Sequence, residues 1–276
     1  MPRKCLSRAV LGLATACLLA ACATTPTGRR QLTLFAPQEM ARMGNAAYTK
    51  TLDNTPIDRD AALNRYVSCV SGHLTAVVPT PKGDSGRWRV TVFKEDKTIN
   101  AFALPGGNIG VYTGLLKVAA NQAQLAAVIG HEIGHVEAQH PNARISAQYA
   151  TQTGLQLLSS LTGASGSASQ QQIMSLLGMG AQVGILLPFS RAQESEADLL
   201  GLQYMARAGF DPRQAVDLWQ RMMKSGGPKP PELLSTHPAD RTRIAHLERN
   251  MPRAMEIYQQ ARARGRRPDC GPPPAL

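Results

Sequence analysis

Apolar residues recur at helical spacing along most of this chain, and at strand spacing in one short block. Between Asp60 and Val78 they stand at Leu63, Val67, Val70, Leu74 and Val77, which predicts an amphipathic helix. Pro37 to Lys50 reads as helix too, and Pro79 to Gly86 as a turn-rich break. Trp88 to Phe93 is rich in β-formers and partly alternates. Ile99 to Leu104 reads as a second strand, Pro105-Gly106-Gly107 as a turn, and Asn108 to Tyr112 as a third strand. The remaining pattern is helical: Gln122 to Gln139, brought to an end by Pro141, then Ile145 to Leu161, Ile173 to Leu187, Glu194 to Ala208, Pro212 to Lys224 and Ala239 to Ala261. The expected fold class is α+β, mostly helical, with one small sheet. No internal repeat of fixed period is visible.

The N-terminus changes how the rest is read. Arg3, Lys4 and Arg8 precede an apolar run, Val10 to Ala21, that is too short to span a bilayer. A charged start and a short apolar run form the pattern of a secretory signal. The run ends in Leu19-Ala20-Ala21-Cys22, which resembles a bacterial lipoprotein signal, in which the cysteine is lipidated and becomes the first residue. Residues 1–21 are therefore expected to be removed, 22–36 to form a polar tether, and 37–276 to be the folded domain. Ala23 in place of Asp favours the outer membrane, by resemblance to sorted lipoproteins. Cys5 and Cys17 leave with the signal, and Cys69 and Cys270 remain as an even pair in an oxidising compartment, where a disulfide between them is expected. Removing Arg3, Lys4 and Arg8 with the signal takes the formal charge from +11 to +8, and a positive surface suits an envelope of anionic lipid and glycan. Export and sparse aromatic residues argue against nucleic acid as a partner.

The strongest chemical signal is His131-Glu132-Ile133-Gly134-His135. On a helix, residues four apart differ by about 40° in direction and about 6 Å in height, so both imidazoles can hold one Zn²⁺. Glu132 is placed to take a proton from an attacking water and pass it to the leaving amine. Leu125, Ala126, Val128 and Ile129 would bury this helix. The extended H-E-x-x-H-x-x-G-x-x-H pattern fails, because Ala138 and Pro141 stand where it needs glycine and histidine. His140 is expected to be a surface or helix-end histidine.

The third ligand must then come from elsewhere. Glu194 opens a later helix and shares a face with Asp198, which could accept a proton from the second nitrogen of a ligand histidine. Glu196 competes with Glu194 for the ligand role but lacks an acidic partner four residues on.

H-E-x-x-H followed at distance by E-x-x-x-D resembles peptidase family M48, which includes the CAAX prenyl proteases and the HtpX heat-shock proteases. Asn100 to Gly107 with Gly114-Leu115-Leu116, and Ser235-Thr236-His237-Pro238 with Arg243, resemble two further motifs of that family in the same order. The resemblance implies a gluzincin-type zinc endopeptidase with one Zn²⁺ per chain, held by His131, His135 and Glu194, with Glu132, Asp198, His237 and Arg243 serving the reaction. It places the chain in the soluble lipoprotein branch, since no long hydrophobic segment follows residue 22, and a second, helical-repeat domain is not expected. His237 could assist an oxyanion or fill the open metal position and silence the resting enzyme. The strand Asn108, Ile109, Gly110 and Val111 is expected to be an edge to which extended substrate adds. Gly163 to Pro188 is expected to act as a lid. Location and resemblance together suggest unfolded or misassembled envelope proteins as substrates. The alternative is a zinc-containing, chaperone-like lipoprotein with little or no proteolysis, and Glu132 discriminates the two, because metal binding alone needs no base beside the ligands.

Overall fold

A computed structural model of the chain describes residues 22–83, 86–162, 189–224, 232–237 and 241–275. The segment expected as a signal, the segment Gly163 to Pro188 expected as a lid, with its expected helix Ile173 to Leu187, and the loop expected at Gly226 to Pro231 lie outside the described residues. The fold is mostly helical α+β, as expected from the pattern. In chain order it comprises β1 (Cys22–Thr24), β2 (Arg30–Leu32), α1 (Pro37–Asn54), α2 (Ala61–Thr75), β3 (Arg89–Phe93), β4 (Ala101–Leu104), β5 (Asn108–Tyr112), α3 (Thr113–Leu116), α4 (Gln122–Glu137), α5 (His140–Thr162), α6 (Arg191–Ala208), α7 (Arg213–Lys224), α8 (Glu232–Thr236) and α9 (Arg241–Ala263). None of the described helices is long and apolar enough to cross a membrane.

The core gathers around α4. Asn121 caps its start, its side chain accepting from the amides of Ala123 and Gln124, both at 3.0 Å. Nearly every residue of α4 is buried, so the helix is apolar on almost all sides, as a central helix must be. Leu125, Val128, Ile129 and Ile133 join Val67, Val70 and Leu74 of α2 and Met205 of α6 in one cluster. The metal-motif histidines therefore ride on an almost wholly buried helix.

Glycines set how closely α4 and α6 approach. A Cβ at Gly201 would lie 2.7 Å from the backbone N of His131 and 2.9 Å from its Cα, and one at Gly134 would lie 2.9 Å from the carbonyl oxygen of Ala197. Neither position has room for a side chain, so the two backbones nest together. That nesting brings the start of α6, and Glu194 with it, against His131 and His135.

The three-stranded sheet has the order β3-β5-β4, with β5 parallel to β3 and antiparallel to β4. This corrects the expectation for Asn108, Ile109, Gly110 and Val111: they form the central, fully buried strand, not an edge. The reason is that β3 pairs with the far side of β5 rather than with its sequence neighbour β4. The outer side of β3 is itself engaged, with Asp58 N donating to the Val92 carbonyl at 2.9 Å and Lys94 N to the Pro56 carbonyl at 2.7 Å. The sheet edge beside the metal motif is β4.

The tether is also corrected. Residues 22–32 fold into a second sheet, the antiparallel hairpin β1-β2, in which Cys22 pairs with Leu32. Gly28, at φ 93°, makes its turn, a backbone conformation that favours glycine. At the opposite end, Cys69 on α2 and Cys270 are bridged, with Cα atoms 5.7 Å apart. The tail is further held at the start of α4, where Cys270 N donates to Oε1 of Gln122 at 2.9 Å.

Candidate metal centre

His131, Glu132, His135, Glu194, Asp198, His237 and Arg243 are brought to one place by α4, α6, the residue after α8, and α9, and all are buried. The capping box of Ser190 and Gln193 starts α6 and so fixes Glu194 in its first turn. Nε2 of His131 and Nε2 of His135 stand 3.0 Å apart. The Glu194 carboxylate lies 3.5 Å from His131 Nε2 and 3.4 Å from His135 Nε2. Nδ1 of His237 lies 3.0 Å from Glu194 Oε1 and 3.2 Å from His131 Nε2.

These atoms fit a metal. Ligands about 2.0–2.2 Å from a tetrahedral Zn²⁺ stand roughly 3.3–3.5 Å from one another. The donor set here spans that spacing, with all four side chains offering atoms within 4.8 Å of each other. Buried imidazoles turned nitrogen to nitrogen around a carboxylate have no apolar reason to converge, and a shared cation supplies one. Glu132 Oε1 is buried with no hydrogen-bond partner, although it lies 3.6 Å from His237 Nε2. Burial raises the Glu132 carboxyl above its ordinary range, opposed by His237 and His131. That direction suits a group that must accept a proton and then release it.

The surroundings hold the ligands in place. His131 Nδ1 lies 2.9 Å from Asp198 Oδ1. Arg243 donates to both Asp198 oxygens at 2.7 Å and to the His237 carbonyl at 3.2 Å, approaches Glu194 Oε2 at 3.1 Å, and stacks 3.5 Å above the Trp219 ring. Burial opposes the charge on Asp198, but Arg243 and His131 hold its carboxyl below the usual range. Burial likewise opposes the charge on Glu194, and hydrogen bonds from His131, His135 and His237 bring its carboxyl well below. A cleft opens beside the ligands, lined by β4 and by Met40, Met43, Ile145, Phe189, Glu132 and His135.

Three groups near the ligands were missed or misread from the sequence. His140, expected as a surface or helix-end histidine, does open a helix, α5, but is fully buried with Nδ1 2.9 Å from His135 Nδ1. The reason is Gln139, which adopts a left-handed φ of 55°, ends α4 and turns His140 back onto its last turn. Glu196 carries no ligand role and instead faces His140 Nε2 at 3.1 Å. Phe189 lies against His135, with ring centroids 3.9 Å apart. Nothing in the local sequence marked the first two of these.

A donor cluster of this kind on a helical α+β scaffold defines a metallopeptidase centre of the H-E-x-x-H type. The profile of peptidase family M48 matches residues 61–251, and the chain belongs to that family. It is 36% identical over 186 residues to the mitochondrial metalloendopeptidase OMA1 of Saccharomyces cerevisiae, covering 64% of this chain and 51% of the relative. It is 32% identical over 267 residues to the mitochondrial metalloendopeptidase OMA1 of Bos taurus, covering 91% and 49%. It is 33% identical over 238 residues to the beta-barrel assembly-enhancing protease of Yersinia pestis, covering 83% and 47%. The chain spans about half the length of each of these relatives.

Proposed function

We propose that this chain is a zinc-dependent endopeptidase of the bacterial cell envelope, anchored by a lipid on Cys22 to the periplasmic face of the outer membrane. Its substrates on this reading are unfolded or misassembled envelope proteins. The observation that carries the activity is the convergence of His131, His135 and Glu194 beside the unpartnered Glu132 Oε1. Zinc at such a site supplies Lewis acidity, polarising a scissile carbonyl and acidifying water towards neutrality. Glu132 accepts the proton of the attacking water and returns it to the leaving amine. Asp198 keeps the proton of His131 on Nδ1 and so leaves Nε2 free for the ion. An extended peptide adds to the β4 edge, Ala101 to Leu104, in place of the buried strand first expected to receive it. The substrate class draws on the relatives named for β-barrel assembly, and the compartment on the signal pattern and the Cys69–Cys270 bridge.

Two measurements test this. Casein hydrolysis by the purified chain is expected to stop on treatment with a zinc chelator and to return when one equivalent of zinc is restored; cleavage that survives metal removal sinks the assignment. Cys22→Ser is expected to move the chain from the membrane fraction to the soluble periplasmic fraction and to abolish fatty-acid labelling. Unchanged fractionation would refute the anchor while leaving the peptidase standing.

Of the two roles open to His237, the geometry favours the silencing one. Its Nδ1 stands among the ligand atoms at 3.0–3.2 Å, where a fourth ligand would lie. His237→Ala is then expected to raise casein hydrolysis severalfold. A fall in hydrolysis, with zinc retained, would show that His237 assists instead.

A further inference from the structure

His135 points its Nε2 into the ligand cluster, so its Nδ1 faces the other way and meets Nδ1 of His140 at 2.9 Å. His140 in turn places Nε2 3.1 Å from Glu196 Oε2. With Nε2 of His135 left free for an ion, one proton arrangement satisfies the chain. His135 Nδ1–H donates to His140, and His140 Nε2–H donates to the Glu196 carboxylate. His131 is fixed more simply, by Asp198 directly at 2.9 Å. Asp198 shares a face of α6 with Glu194, whereas Glu196 lies about 200° round the helix from it. The imidazole of His140 spans the resulting gap.

Glu196 is held from outside by the N-terminal hairpin. Arg29 Nε donates to Oε2 at 2.7 Å, and the Thr27 hydroxyl donates to Oε1. The same segment grips the corner that carries His140. Gln31 Nε2 donates to the Ala138 carbonyl at 2.5 Å, Leu34 N to Ser146 Oγ at 2.8 Å, and Asn142 Nδ2 to the Phe35 carbonyl at 2.8 Å. We propose that His140, Glu196, Arg29 and Thr27 are positioning residues for the metal ligand His135, which makes the N-terminal hairpin a working part of the metal site. This rests on reading His131, His135 and Glu194 as the ligands.

Such a relay fixes the tautomer and ring orientation of His135 before an ion arrives, so its loss shows in metal affinity. If these contacts only packed the hairpin down, their loss would show in the stability of the metal-free chain and leave affinity alone. Zinc affinity of the purified full chain, read by competition with a chromophoric chelator, needs no substrate. His140→Phe and Glu196→Leu are each expected to weaken zinc about 10–100-fold. Arg29→Ala is expected to weaken it less, and Arg29→Lys, which can still donate to the carboxylate, to restore most of the loss. Glu196→Leu combined with Arg29→Ala is expected to be no worse than Glu196→Leu alone, because both act through one carboxylate. Arg29 is 32% exposed, so its variants keep the test alive if a buried variant fails to fold, and metal-free denaturation midpoints are measured alongside. Zinc binding that depends on Glu194 but is unchanged in all the relay variants overturns this proposal alone. A wild-type chain that binds no zinc, or a Glu194→Ala variant that binds it as tightly as wild type, removes the ligand reading and the relay with it.

Discussion

Glu132→Gln is expected to lower casein hydrolysis by about 10²–10⁴-fold while the purified variant still holds one zinc per chain. Glutamine keeps the shape of the side chain and its place on α4, so the buried environment is not disturbed. What it loses is the ability to take a proton. Glu132 is 4% exposed and its Oε1 has no hydrogen-bond partner, so the exchange breaks no hydrogen bond at that atom and gives up only the charge that faces His237 Nε2 at 3.6 Å. The group is not among those that converge as ligands, which is why metal content should stand. This pair of readings separates a peptidase from a zinc-holding binding protein, in which Glu132 has no task. Equal cleavage by wild type and variant would end the peptidase assignment, and loss of zinc would move Glu132 into the ligand set.

The second large effect is expected at Arg243. Its guanidinium is buried and makes two 2.7 Å bonds to Asp198. Arg243→Met leaves Asp198 as a buried carboxylate with His131 as its remaining ionisable partner. Breaking a buried pair in this one-sided way costs about 3–5 kcal/mol, so the denaturant midpoint of the metal-free chain should fall sharply. Arg243→Lys should recover little, because an ammonium cannot reproduce the paired bonds or the stacking on Trp219. Removing the orphaned charge as well, in Arg243→Met with Asp198→Leu, should restore part of the lost stability. A loss below about 1 kcal/mol for Arg243→Met, the range of an exposed pair, would show that the cluster does not depend on the arginine.

The site was more legible in the sequence than its surroundings. His131 with His135, and Glu194 with Asp198, are spaced four apart on helices, and that spacing alone predicts a shared face. His237 and Arg243 could be marked by resemblance to a family motif, although nothing local says what they touch. His140 was misplaced because helical spacing was carried through Gln139, where the backbone turns left-handed and the period stops. Glu196 reads from the sequence only as a rival ligand, because two of its partners, Arg29 and Thr27, come from the far end of the chain. Strand order is equally non-local: β3, β4 and β5 were each found near their places, but the pairing of β3 with β5 decides which of them is an edge. The hairpin at residues 22–32 is short and polar, and its burial against Glu196 leaves no periodicity to read. The glycines at 134 and 201 carry no signal beyond their identity until two helices are seen to meet.

That meeting has a consequence for how the protein acquires its ion. His131 and His135 travel together on one helix turn, but Glu194 becomes their neighbour only when Gly201 nests against the His131 backbone. Before α4 and α6 pack together, this ligand set holds only its two nitrogens. Capture is an act of the finished fold, and affinity for a metal is inseparable from the free energy of folding. Because divalent ions compete for such sites largely through their local supply, the ion that ends up inside is chosen by the surroundings in which the chain first closes.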